Sequence, residues 1–159
     1  MKERVKILVV VAMLLQAVSL SADTAKNVED WYRGYASHWL DADVDIDAVT
    51  KYYASPFYYL GSTGPLLDTD ETLKASLTSY AETWAKDGWS GARLLRVKVK
   101  MLNESSAMIL TEWDIHAADG SSIIGCARAP WTYLATRTEE GWKLALEIEI
   151  ACGQGLVLK

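Results

Sequence analysis

The chain holds one phenylalanine, two histidines, two cysteines and three prolines among 159 residues. Two histidines leave little for a histidine-built metal centre, and no Cys/His run has zinc-ligand spacing. There is no Gly-rich phosphate loop and no G-x-S-x-G nucleophile elbow, so P-loop nucleotide chemistry and the α/β-hydrolase mechanism have no basis here. Basic residues are outnumbered: 16 Lys+Arg stand against 21 Asp+Glu, a formal net charge of −5. Such a chain is a poor partner for nucleic acid or an anionic membrane surface. No metal and no cofactor is expected.

What is present is aromatic and amphipathic. Seven tryptophans and eight tyrosines accompany the lone phenylalanine, and large rings with polar tips suit a wall that is partly apolar and partly hydrogen-bonding. The N-terminus begins with a basic stretch, MKERVK, followed by the apolar run ILVVVAMLLQAVSL and small residues. That pattern predicts a signal peptide over residues 1–21, cleaved before Ala22. The apolar run is short for a membrane span of about 20 residues. Cleavage leaves residues 22–159 as a single exported domain, periplasmic or secreted, with no membrane insertion. It also removes three positive charges and one negative, so the mature net charge becomes −7. In an oxidising compartment two cysteines are often a pair.

Periodicity predicts three helices and then strands. Val28, Trp31, Tyr32, Tyr35 and Trp39 recur at three- and four-residue steps, the stripe of a first helix. Asp45 can cap a short second helix, IDAVTKYYA, whose Ile46, Val49 and Tyr53 share a stripe. FYYLGSTGPLL reads as two short strands around a Gly-rich turn. Asp68 and Glu71 have capping-box spacing at the start of a third helix with Leu73, Leu77, Tyr80 and Trp84 along it. The last 70 or so residues read as a four-strand meander, which makes the fold α+β.

The final strand shows the clearest alternation: Trp142, Leu144, Leu146, Ile148 and Ile150 read as its inner face. Glu147 and Glu149 read as its outer one. A turn centred on Glu139 then places Arg128 opposite Ile150, and Cys126 opposite Cys152. A two-residue hairpin at Asp119-Gly120 places Arg128 opposite Thr111 and Cys126 opposite Trp113. Both counts put Arg128, Thr111 and Thr132 on the inner face, with Glu112, Asp114 and His116 outside, across from Arg96, Lys98 and Lys100. A bulge at Pro130 would invert this parity and bring Trp131 and Tyr133 inward; with both outside, they would suit a homodimer contact. The cysteines suit a cross-strand disulfide or two buried thiols.

Three helices with a short hairpin before the third, then a long sheet ending YLATRTEEGWKLALEI, resemble nuclear transport factor 2-like (SnoaL-like) proteins over residues 25–150. The resemblance implies a cone, with three N-terminal helices packed on a long curved antiparallel sheet around a pocket. It also implies that members include isomerases, dehydratases, hydrolases and cyclases beside noncatalytic binding and dimerisation modules. Isomerases of the group use a carboxylate on the strand after the second helix and a tyrosine on the first. Tyr35 matches the tyrosine, whereas residues 57–64 contain no carboxylate or histidine. Dehydratases of the group use histidine with aspartate; only His38 and His116 are available, and the register puts His116 outside.

The expectation is an exported module binding a small, partly apolar, anionic molecule. Arg128 would be its anchor, among Tyr35, Trp39, Tyr59, Trp84, Trp113, Thr111 and Thr132. The alternatives are an acid–base lyase, isomerase or hydrolase, and a structural or dimerisation domain. No convincing acid–base set falls in the expected pocket, so the balance leans away from an enzyme. A homodimer would form through the outer sheet face.

Overall fold

The computed structural model describes residues 24–62 and 64–154; the expected signal peptide lies outside them. Helix α1 (24–37) buries Val28, Tyr32, Tyr35 and Ala36, and Trp39 follows in the turn beyond it. Its opposite face carries the i,i+4 pairs Lys26–Asp30 and Glu29–Arg33, the ordinary solvent side of an amphipathic helix. Helix α2 (Ile46–Thr50) is capped by Asp45, whose carboxylate accepts the Ala48 N–H at 3.0 Å. It ends earlier than its stripe suggests. Tyr53 already belongs to strand β1 (Tyr53–Gly61), and the Tyr52 carbonyl accepts the Leu144 N–H at 2.7 Å.

Strand β2 (Gly64–Asp68) hairpins back onto β1, and helix α3 (Asp70–Lys86) follows. Thr69, rather than Asp68, caps α3: its N–H donates to Thr72 Oγ1 at 2.9 Å. Asp68 stands one residue too early for the cap and is buried. The long strands are β3 (Trp89–Asn103), β4 (Ser106–Ala117), β5 (Ala129–Thr138) and β6 (Gly141–Glu149). The sheet order is β2-β1-β6-β5-β4-β3, with only the β1–β6 pair parallel. The α+β expectation therefore stands: helices line one face of a six-stranded sheet.

The helices and sheet meet through rings. Tyr32 packs against Tyr133 and Trp113, with centroids 5.2 and 6.4 Å away, and Trp89 sits 6.1 Å from Trp39 and 5.4 Å from Trp84. Strand β3 docks directly on the chain after α1, where Ala92 N–H donates to the Trp39 carbonyl at 2.7 Å. Gly91 permits that approach, because a Cβ there would collide with the Leu40 carbonyl.

Two local departures from simple counting decide which side chains enter the cone. First, the β4–β5 connection is not a two-residue hairpin. A tight turn at Asp119-Gly120 pairs His116 with Ser122, but the chain then swings out. Ser122 Oγ holds that excursion by bonding both the N–H and the carbonyl of Cys126 at 3.0 Å. Pairing resumes with Trp113 opposite Ala129 and Thr111 opposite Trp131. Against the two-residue hairpin, which would set Trp113 opposite Cys126, the register is displaced by three residues, an odd number, so the faces of β5 exchange. Trp131 and Tyr133 point into the cone, and Thr132 and Leu134 point out. Second, β6 contains a bulge: Leu144 pairs with Ala135 and Leu146 with Leu134, leaving Ala145 as the extra residue. Leu144 is wholly buried inside. Beyond the bulge, Leu146 and Ile148 turn outward and Glu147 turns inward, the reverse of the uninterrupted alternation.

Cys126 and Cys152 form the disulfide, with Cα atoms 6.0 Å apart. It ties the β4–β5 excursion to the chain after β6 rather than joining two regular strands. Among the described residues, no helix is long and apolar enough to cross a membrane.

Candidate functional site

The helices and the inner sheet face enclose an open cavity of about 320 Å³. From α1 and the turn after it come Tyr35 and Trp39; from α3, Leu77, Tyr80 and Trp84. Trp113 and Ile115 enter from β4, and Trp131 and Tyr133 from β5. The hairpin β1–β2 supplies Tyr53, Phe57, Tyr59 and Asp68, and β6 supplies Glu147.

The polar groups fall into three sets. Tyr35 and Tyr53 share a buried hydrogen bond, Oη to Oη 2.8 Å. Burial, and then the neighbouring Glu147 charge, push the Tyr35 phenol well above its usual range. Glu147 stands beside Tyr59 and Tyr133 in the ladder. Burial, and then the Glu149 charge, push its carboxyl from 4.5 up to about 8. A carboxyl with that value holds its proton at neutral pH and can release it just above. Glu149 is satisfied otherwise: its Oε2 accepts Tyr59 Oη–H at 2.8 Å and the Ser62 N–H at 3.2 Å. At the end of β2, two strands from Glu147 in the same sheet, Asp68 is buried and accepts Ser76 Oγ–H at 2.8 Å. The indole N–H groups of Trp39 and Trp131 have no hydrogen-bond partner among the described residues.

Of the residues expected at the site, Tyr35, Trp39, Tyr59, Trp84 and Trp113 come together around this cavity. Thr111 is buried behind it, accepting Trp113 Nε1–H at 3.0 Å and donating to the Trp131 carbonyl at 3.3 Å. Thr132 is buried on the other face of the sheet, one step from the lining residues Trp131 and Tyr133.

Arg128 is not in the cavity. Its side chain is 63% exposed and forks onto Glu112 on the outer face, because the three-residue displacement of β5 turns it there. That face carries Arg96 near Glu112 at 3.9 Å, Arg93 on Asp114 at 2.8 Å, and His116 near Asp114 at 3.7 Å. The mixed-charge surface is thus where the sequence puts it, with Arg128 as one more member. His38 lies at the edge of α1, its ring 5.6 Å from that of Tyr52.

The carboxylates are what sequence reasoning missed. Glu147 sits in a clean apolar-polar alternation that the bulge at Ala145 interrupts without any glycine or proline to mark it. Asp68 looks like a helix cap. Tyr53 looks like the last turn of α2. Trp131 and Tyr133 are foreshadowed as the inward pair under inverted parity, although Pro130 itself pairs in regular register with Glu112 and the inversion comes from the excursion before it.

The comparisons agree on the fold. The family model described as NTF2-like protein (DUF6841) matches residues 23–149. An NTF2-like protein with a cystatin-like fold from Novosphingobium aromaticivorans superposes with a TM-score of 0.64 at 13% identity, over 89% of this chain and 90% of that one. An NTF2-like protein of unknown function from Shewanella oneidensis gives 0.59 at 18% identity, over 77% and 95%. A third, again from Novosphingobium aromaticivorans and provisionally described as an aromatic ring hydroxylase, gives 0.61 at 17% identity, over 86% and 92%. At these identities the likeness is one of fold. No curated protein matches the chain.

Proposed function

Since the chain belongs to the NTF2-like family DUF6841, and a shared fold leaves the chemistry to the individual site, we propose that it is an exported protein that binds a small, largely apolar molecule inside the cone. One observation carries this: an open cavity of about 320 Å³ whose wall is mostly rings, with a few convergent polar groups. That combination is the usual form of a small-molecule site. The two indole N–H groups without acceptors favour a ligand with at least one acceptor atom. Export is supported by the N-terminal sequence pattern and by the disulfide. Native mass spectrometry of the protein purified from its own host, before and after mild denaturation, tests the binding reading. A co-purified small molecule released on denaturation is expected. An empty protein whose melting temperature no small-molecule library member raises would sink it.

Glu147 favours a second reading, acid–base catalysis by a lyase, isomerase or hydrolase. A carboxyl that ionises near 8 beside two hydrogen-bonded phenols can give or take a proton at ordinary pH. Under this reading Glu147→Gln abolishes turnover of the co-purified molecule while leaving its binding in place.

Self-association through the outer sheet face belongs to the same proposal on altered grounds. Trp131 and Tyr133 face the cavity, so the surface offered is Met108, Leu134, Leu146 and Ile148. The intact mass in the same native spectra reports whether a dimer forms.

A further inference from the structure

Every carboxylate and phenol at the cavity points to one sign of charge. Asp68 and Glu147 line it from opposite sides of the hairpin–β6 seam, and among the described residues no lysine, arginine or histidine lines it with them. The titratable groups that face Glu147 are Tyr32 and Tyr35 from α1, Tyr53 and Tyr59 from β1, Tyr80 from α3, Tyr133 from β5 and Glu149 from its own strand. All are acids. Most of the remaining wall is rings, whose faces are the negative end of the aromatic quadrupole, with aliphatic side chains such as Leu77 and Ile115 between them. An anion entering here would meet negative potential with no cation to hold it. A cation would meet two carboxylates and a set of π-faces, an arrangement that desolvation strengthens. Trp39 and Trp131, both more than nine-tenths buried, add N–H groups with no acceptor among the described residues, which call for an acceptor atom on the cation's apolar body.

We propose that the cavity takes an organic ammonium ion, a quaternary ammonium or protonated amine on a small apolar body, with its charged head held by Glu147 and Asp68 among the surrounding rings. The inference rests on the binding reading above and assigns its ligand class. It also replaces the anionic ligand that Arg128 would have anchored.

The proton on Glu147 gives the site a signature. Without a ligand, the carboxyl holds its proton up to about pH 8 because of its burial and the Glu149 charge. A bound ammonium takes the proton's place, so binding below that pH expels a proton and is weakened by acid. The facing tyrosines are all held neutral across the same range by burial, which leaves Glu147 as the group whose ionisation the ligand competes with.

The test is a tryptophan-fluorescence titration with three probes of similar size: phenyltrimethylammonium, its neutral isostere tert-butylbenzene, and phenylacetate. The first keeps its charge at every pH used. At pH 9 it should bind at least tenfold more tightly than the isostere, with no saturable binding of phenylacetate. Its affinity should fall at least tenfold between pH 9 and pH 6. In Glu147→Gln the pH dependence should vanish, and in the double variant with Asp68→Asn the preference over the isostere should vanish too. Both amides keep side-chain shape and remove a buried charge, so folding, checked by circular dichroism, is expected to persist. Equal or tighter binding of tert-butylbenzene or phenylacetate overturns the charge assignment and leaves the binding reading standing, as does a full preference retained in the double variant. Binding of none of the three overturns both.

Discussion

Turning Glu147 into the cone has a stability consequence that depends on pH. The carboxyl ionises near 8 in the fold against 4.5 for the unburied group. The folded chain therefore binds this proton more tightly than the unfolded chain, and folding is weakened as the pH rises from one value toward the other. Below about 4.5 both states are protonated and Glu147 contributes no pH dependence. Above that, linkage removes about 1.4 kcal/mol for each pH unit, roughly 5 kcal/mol once both values are passed. Glu147→Gln has no proton to lose. Urea unfolding of the oxidised protein and the variant at pH 4, 5, 6, 7, 8 and 9 isolates this contribution, since every other titrating group is common to both chains. With a urea slope of about 1–3 kcal/mol per M, the variant's midpoint should be at least about 1.5 M higher at pH 9. The two should lie within about 0.5 M of each other at pH 4 by the same slope. Midpoints that stay parallel from pH 5 to 9 would refute the reasoning. Glu147 would then ionise at an ordinary value in contact with water, and the bulge at Ala145 would not be carrying it inside.

Three further outcomes follow from the same geometry. Arg128→Ala removes an exposed ion pair with Glu112 and should lower stability by less than about 1 kcal/mol, read from the urea midpoint, with no change in probe binding. Reducing the Cys126–Cys152 bond opens a crosslink spanning 26 residues; unfolding with and without reductant should differ by about 2–4 kcal/mol. Gly91→Ala places a methyl against the Leu40 carbonyl where β3 docks behind α1, and overpacking of this kind should destabilise by about 1–3 kcal/mol in thermal or urea unfolding.

Much of the fold was legible. The stripe of Val28, Tyr32, Tyr35 and Trp39 marks α1 because residues three and four apart share a helical face. The alternation in β4, with Ile109, Trp113 and Ile115 buried and Glu112 and Asp114 outside, marks a strand with one wet face. The cysteine pair is legible from the expected export and approximate opposition, although the setting differs. Half of the cavity's rings came with those elements: Tyr35, Trp39, Trp84 and Trp113 are core-facing positions of well-marked helices and strands, and Tyr59 belongs to the marked hairpin. The chemistry of the cavity did not come with them. Counting from the Asp119-Gly120 turn puts Arg128 inward, but the chain follows that turn for only a few residues. Uninterrupted alternation puts Glu147 outward, but β6 gains one unpaired residue at Ala145.

By itself, then, the sequence determined the elements, their order, the α+β class and the aromatic character of the interior. Each depends on neighbours within a few residues, and a helical or pleated period is written locally. Only the tertiary structure decided which charges the cavity contains. That choice rests on register, where a one-residue bulge or an odd displacement moves every following side chain to the opposite face. Register is settled by the sum of long-range contacts, such as Trp131 against Thr111 and Leu146 against Leu134. No single residue near Arg128 or Glu147 records it.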